Sequence, residues 1–206
     1  MPRSRTASRP SRAASGSPRL DPAMRVSETS LPGVLLVEPK LHGDARGRFV
    51  ETFHAPRYAE HGIADTFVQD NVSSSVRGVL RGLHFQHPGA QAKLAFVLEG
   101  EVFDVAVDIR LGSPSFGQWV GVHLTADRLE QLYIPAGFAH GFCVLSERAV
   151  FAYKCSDVYR PADDRSIRFD DPAIGIVWPL DEPSLSAKDR DAPRLADVPA
   201  ALLPTY

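Results

Sequence analysis

From Val34 onward, apolar residues recur in short runs, with Gly, Pro, Asp or Ser between most of them. The runs cover residues 34–37, 49–53, 66–69, 79–86, 93–98, 101–109, 117–124, 131–134, 138–145 and 149–153. Strand-length runs spaced about 8–12 residues apart predict an all-β sandwich or barrel. Alternation is clearest in 101–109. Phe103, Val105, Val107 and Ile109 share one face there, and Val102, Asp104, Ala106 and Asp108 share the other. Asp104 thus sits among small apolar neighbours, as a carboxylate lining a cavity would. Leu98-Glu99-Gly100-Glu101 reads as a tight hairpin connection. Residues 55–61 predict one or two helical turns ended by Gly62, and 185–189 the start of a short helix. Residues 161–171 are polar, 174–178 predict one more strand, and 191–206 have no strong pattern and read as a C-terminal extension.

Residues 1–30 follow a different rule. Arg3, Arg5, Arg9, Arg12 and Arg19 stand among Ser, Ala and Pro without apolar periodicity. Such a stretch buries too little surface to offset its ordering entropy, so a disordered tail is expected. Its Arg- and Ser-rich, acid-poor composition also fits an organelle transit peptide, although no apolar core of a signal peptide is present. Met24 offers a later start, and a tail without function is the favoured reading. The remaining 31–190 is long enough for one core. A net charge of −2 gives no reason to expect nucleic acid, and no apolar run reaches the ~20 residues of a membrane span. Cys143 and Cys155, both in apolar runs, are expected to be free buried thiols of a cytoplasmic protein.

Four polar features interrupt the apolar runs. Arg81 and His84 lie in 79–86, where burial is costly unless such groups are paired or used. Strict alternation puts them on opposite faces, so sharing one pocket requires a bulge or Arg81 at the strand entrance. Pro135-Ala136-Gly137-Phe138-Ala139-His140 has a P-x-G-x-x-H pattern that resembles the second motif of cupin barrels, in which the histidine points inward. A cupin metal site adds an H-x-H pair, whereas His84-Phe85-Gln86-His87 lacks that spacing. His84 and His140 alone fall short of three protein ligands, so no metal is expected. Lys93 opens a strand; it either snorkels to solvent or serves an anion or oxyanion. Tyr153, in Phe151-Ala152-Tyr153-Lys154, is by itself more often a packed residue than a proton donor.

At these residues the chain resembles the dTDP-4-dehydrorhamnose 3,5-epimerase family. The matching runs are 43–47, 67–71, 79–86, 100–110, 113–114, 116–122, 134–142 and 185–189, spread over most of 34–189. The resemblance implies a cupin-type double-sheet jelly-roll β-barrel with a few short peripheral helices. It implies a homodimer without cofactors, acting on dTDP-4-dehydro-6-deoxyglucose. It also implies that His84 accepts a proton, supported by Asp189, and that Tyr153 donates one from the opposite side of the sugar. Arg46, Glu51, Gln69, Asp70, Asn71, Arg81, Lys93, His140, Asp164 and Lys188 would contact substrate, with Asp104 supporting His140. At Asp164-Arg165 the family commonly has Glu followed by Gly. Strands 34–37 and 49–53 are expected to be edge or exchange strands.

The residue types suit the chemistry. Carbons 3 and 5 of a 4-keto sugar are α to the carbonyl, and an imidazole, which titrates near pH ~6.5 in ordinary surroundings, can take such a proton. The resulting enolate needs a cation or donor at its oxygen, a role open to Lys93 or Arg81. Inversion then needs an acid on the other face, and arginines suit a diphosphate. The rivals are an epimerase acting at carbon 3 or 5 alone, a non-catalytic sugar-binding cupin, and a metal-dependent cupin enzyme.

Overall fold

A computed structural model describes residues 24–206. Two antiparallel sheets face each other. The first has six strands in the order β1 (Met24–Glu28), β2 (Leu35–Pro39), β10 (Gln131–Ile134), β7 (Lys93–Glu99), β12 (Arg148–Cys155) and β5 (Gln69–Val76). The second has five, β13 (Asp164–Ser166), β6 (Leu80–Gln86), β11 (Phe138–Val144), β8 (Glu101–Asp108) and β9 (Trp119–Thr125). A separate hairpin joins β3 (Leu41–Asp44) to β4 (Gly47–Val50). Two short helices, α1 (Ala55–Ala59) and α2 (Ala187–Arg190), lie outside the sheets. This is the expected all-β, cupin-type double-sheet jelly roll. Among the described residues no helix is long and apolar enough to cross a membrane.

Period-two patterning decides what each face packs against. Val102 and Ala106 of β8 turn inward to join Ala95, Val97, Leu132, Phe142 and Phe151 between the sheets. Phe103, Val105 and Val107 turn outward, where Ile167, Ile174, Leu195 and Leu203 cover them. The C-terminal extension is therefore a lid over the second sheet, tied on by a bridge between Leu111 and Thr205. Phe151 has no exposed surface and stacks on Phe142 with 4.0 Å between centroids, closing the core beneath the site. Burying a ring of that size contributes about 2–3 kcal/mol.

Several expectations need correction. The disordered tail expected over 1–30 mostly lies outside the described residues, but Met24–Glu28 forms β1, held by its pairing with β2. Strand β2 lies between β1 and β10, so it is not an edge. The tight connection at Gly100 joins β7 to β8 across the two sheets rather than forming a hairpin. Gly100 has a φ of +80°, and a Cβ there would lie 2.1 Å from the Arg148 carbonyl oxygen. Residues 174–178 form no strand; Ile174, Ile176 and Trp178 pack irregularly on the second sheet.

Candidate active site

The cavity opens between the sheets, walled by β5, β12 and β7 on one side and by β6 and β11 on the other. An outer chamber of about 300 Å³ is lined by Gln69, Asn71, His84, Lys93, Tyr153, Asp164 and Lys188, among others. An inner chamber of about 170 Å³ is lined by Ser73, Arg81, His84, Lys93, His140 and Tyr153, with Gly141 and Phe142. His84, Lys93 and Tyr153 line both, so they mark the junction.

A bulge brings Arg81 and His84 together. His140 on β11 faces His84 and Phe142 faces Arg81, so β6 carries one residue more than its partner between the two pairs. Gly82 occupies that extra step with a φ of +111°, and a Cβ on it would come within 2.6 Å of the Gly141 Cα and the His140 carbonyl oxygen. The Arg-Gly-Leu-His order is therefore the local cause of the two groups sharing one face. Arg81 is steadied by its Nε donating to Ser75 Oγ at 3.2 Å.

His84 Nε2 lies 2.5 Å from Asp189 Oδ1. Asp189 is delivered by α2, whose N-cap hydroxyl of Ser186 accepts from the Asp189 backbone N–H at 3.1 Å and donates to Oδ2 at 2.8 Å. The segment before α2 is pinned to the start of β6, with Leu80 N–H donating to the Ser184 carbonyl at 3.0 Å. Burial pushes the Asp189 carboxyl up, but hydrogen bonds from His84, Ser186 and the Gly82 backbone outweigh it and leave it below the ordinary value. An ionised carboxylate only accepts, so Nε2 bears the proton toward Asp189 and Nδ1 is the nitrogen left to exchange a proton with a ligand. That is the arrangement of a general base.

Deeper in, His140 Nε2 is 2.7 Å from Asp104 Oδ1, and both residues are buried. Burial pushes the His140 imidazolium down, favouring the neutral ring. Asp104 Oδ2 is buried without a hydrogen-bond partner among the described residues, and its charge acts on Lys93. Burial pushes the Lys93 ammonium down, and the nearby Cys155, Asp104 and Asp164 offset only part of that. The Tyr153 phenol is pushed up by burial, which keeps it protonated. A buried lysine, a histidine with a fixed carboxylate partner and a protonated phenol thus meet around one space. Among the described residues no three His, Cys, Asp or Glu side chains are grouped as metal ligands.

At the mouth, Asp164 Oδ2 accepts from Lys188 Nζ at 2.5 Å and from the Tyr159 hydroxyl at 3.0 Å, clasping β13 to α2. Arg46, Glu51 and Asp70 do not reach the cavity of their own chain. Arg46 sits at the exposed tip of the β3–β4 hairpin, bonded to Asp44, and Glu51 pairs with Arg57 beside α1. Asp70 lies on the outer face of β5, bonded to Lys154 Nζ at 3.0 Å. Alternation explains this, since Gln69 and Asn71 turn inward and the residue between them must turn out. Sequence reading missed Ser73 and Tyr159, and it took Cys155 only as a buried thiol, although it lines the outer chamber. The alternation of Gln69, Asn71, Ser73 and Ser75 was the signal for Ser73.

A family model described as dTDP-4-dehydrorhamnose 3,5-epimerase matches residues 28–197. The chain is 55% identical over 175 residues to the dTDP-4-dehydrorhamnose 3,5-epimerase of Salmonella typhimurium, covering 84% of this chain and 96% of the relative. It is 41% identical over 186 residues to a dTDP-4-dehydrorhamnose 3-epimerase of Streptomyces niveus, covering 89% of this chain and 90% of the relative. Its fold superposes with a TM-score of 0.87 on dTDP-6-deoxy-D-glucose-3,5-epimerase from Legionella pneumophila, solved in complex with dTDP-4-keto-L-rhamnose. That pair shares 55% identity over 89% of this chain and 98% of the other.

Proposed function

Because this chain belongs to the dTDP-4-dehydrorhamnose 3,5-epimerase family, we propose that its cavity performs that reaction through His84, Asp189 and Tyr153. The enzyme is an isomerase that inverts carbons 3 and 5 of dTDP-4-dehydro-6-deoxy-D-glucose to give dTDP-4-dehydro-L-rhamnose. Nδ1 of His84 removes the proton from a carbon α to the 4-keto group, and Asp189 stabilises the imidazolium that forms. Lys93 and Arg81 meet the developing enolate oxygen with positive charge. The Tyr153 phenol then returns a proton to the other face. Gln69, Asn71, Asp164, Lys188 and His140 hold the substrate on either side of the reacting carbons. The observation that carries this reading is the 2.5 Å His84–Asp189 contact at the junction of two chambers that also hold Lys93 and Tyr153.

The test is proton exchange in deuterated water, followed by NMR with the dTDP-4-keto-6-deoxyglucose substrate. Deuterium at carbons 3 and 5 of an inverted product is expected. Label at one carbon only would reassign the chain to the single-site epimerases, and none at all from folded protein would reduce it to a sugar-binding cupin.

The reading extends to a homodimer. Arg46 and Glu51 lie away from the chamber of their own chain, near a hairpin whose Phe49 is 70% exposed. Strand β5 is a sheet edge with Val68, Val72 and Val76 exposed on or beside it. Large exposed apolar groups on an unpaired edge call for a partner. A second copy seated there places the hairpin within reach of a neighbouring cavity, which gives Arg46 and Glu51 a substrate role. Sedimentation equilibrium should give twice the chain mass, and a concentration-independent monomer would remove that role. The free, buried Cys143 and Cys155 fit a reducing, cytoplasmic setting.

A further inference from the structure

The inward face of β5 forms a polar strip along the cavity wall. Gln69 and Asn71 line the outer chamber, Ser73 lines the inner one, and Ser75 holds Arg81. Every member except Ser73 has a protein partner. Asn71 Oδ1 accepts from Gln69 Nε2 at 3.1 Å, and Gln69 Oε1 accepts from the Tyr159 backbone N–H at 2.8 Å. Ser73 Oγ is buried with no hydrogen-bond partner among the described residues. Ser73 pairs in register with Phe151, next to the Asn71–Tyr153 pair, so its hydroxyl lies on the wall beside the phenol.

A buried hydroxyl left unpaired costs stability, and a nearby alanine would avoid that cost. A hydroxyl in that state on the wall of a reaction chamber is one that a ligand completes. We propose that Ser73 is a substrate-binding residue that holds the carbon-2 hydroxyl of the sugar through the whole reaction. The reaction decides which hydroxyl this is. The substrate has hydroxyls on carbons 2 and 3. The one on carbon 3 changes face when that carbon inverts, so a fixed wall group cannot keep it. Carbon 2 keeps its configuration throughout, and its hydroxyl is the one that a rigid strand residue holds equally in ground and transition states. Contacts of that kind act on KM and leave kcat nearly untouched.

The inference rests on the epimerase reading, so both are tested in one assay. Wild type and Ser73→Ala are compared on dTDP-4-keto-6-deoxyglucose and on its 2-deoxy analogue. The substitution removes one oxygen and no intramolecular hydrogen bond, so the fold is retained. On the parent substrate Ser73→Ala should raise KM about five-fold, the worth of one neutral hydrogen bond, with kcat within about two-fold. On the 2-deoxy analogue the two proteins should have the same KM, because the hydroxyl that Ser73 holds is missing. An equal rise on both substrates, no rise on either, or a fall in kcat alone would each overturn the assignment. Wild type inactive on the parent substrate would instead overturn the epimerase reading itself.

Discussion

Replacing His84 with alanine should lower turnover about 1,000-fold and remove deuterium incorporation at both carbons, the usual scale for losing a general base. The expectation comes from position and pairing together. Two histidines line the inner chamber, and each has a carboxylate partner, Asp189 for His84 and Asp104 for His140. His84 is about one-third exposed at its side chain, whereas His140 is 6% exposed and lies against the rings of Phe151 and Tyr153. A base must take up a proton and later release it. Burial opposes charging of the deeper ring, as the downward shift of His140 shows. His84 is the more exposed of the two and lies at the junction of the two chambers. The measurement is exchange by NMR on folded His84→Ala protein. Exchange persisting near the wild-type rate would move the base to His140 and leave the His84–Asp189 pair as a structural clasp.

Much of this site was legible from residue order because the chemistry sits on strands with regular alternation. The inward placement of Asp104 follows from its neighbours, since Val102 and Ala106 flank it on the same face and both enter the inter-sheet core. The bulge in β6 was required by a conflict within Arg81-Gly82-Leu83-His84, and the glycine in that run is what makes it possible. Asp189 could not be placed by local pattern. It reaches His84 across 105 positions through a helix only four residues long, docked by the pairing of Ser184 with Val79 and Leu80 and by the Lys188–Asp164 ion pair. Strand β5 was legible only at its first residue, because 70–76 is mostly Asn, Asp and Ser and has little of the β-branched or aromatic content that marks strands. That polarity matches the strand's position, as one face lines the cavity and the strand is an exposed sheet edge. The positions matched through family resemblance divided along the same line. Those on the inward faces of β5, β6, β7, β11 and β12 meet in one cavity, whereas Arg46, Glu51 and Asp70 need a second chain or have another role.

Tyr153→Phe should separate the two halves of the reaction. The substitution removes one oxygen from a ring that packs against Phe151 and His140, with centroids 6.0 and 6.4 Å away, so the wall of the cavity is preserved. His84, Asp189 and Lys93 are untouched, so proton abstraction and enolate formation continue. What is lost is the acid on the far side. The phenol suits that task because burial raises its pKa, holding the proton at neutral pH until a strongly basic carbanion takes it. In the variant the imidazolium just created is the acid that faces the original side, and once its ring proton has exchanged with solvent it returns a deuteron to that face. Deuterated water should therefore enter the substrate with retained configuration, while formation of the inverted product falls about 100-fold or more. Both quantities come from one NMR time course that follows label in the substrate and appearance of product. Loss of exchange and inversion together would show that the phenol also assists abstraction, and unchanged inversion would assign the donor to another group of the chamber, such as Lys93 at 6.0 Å from the ring.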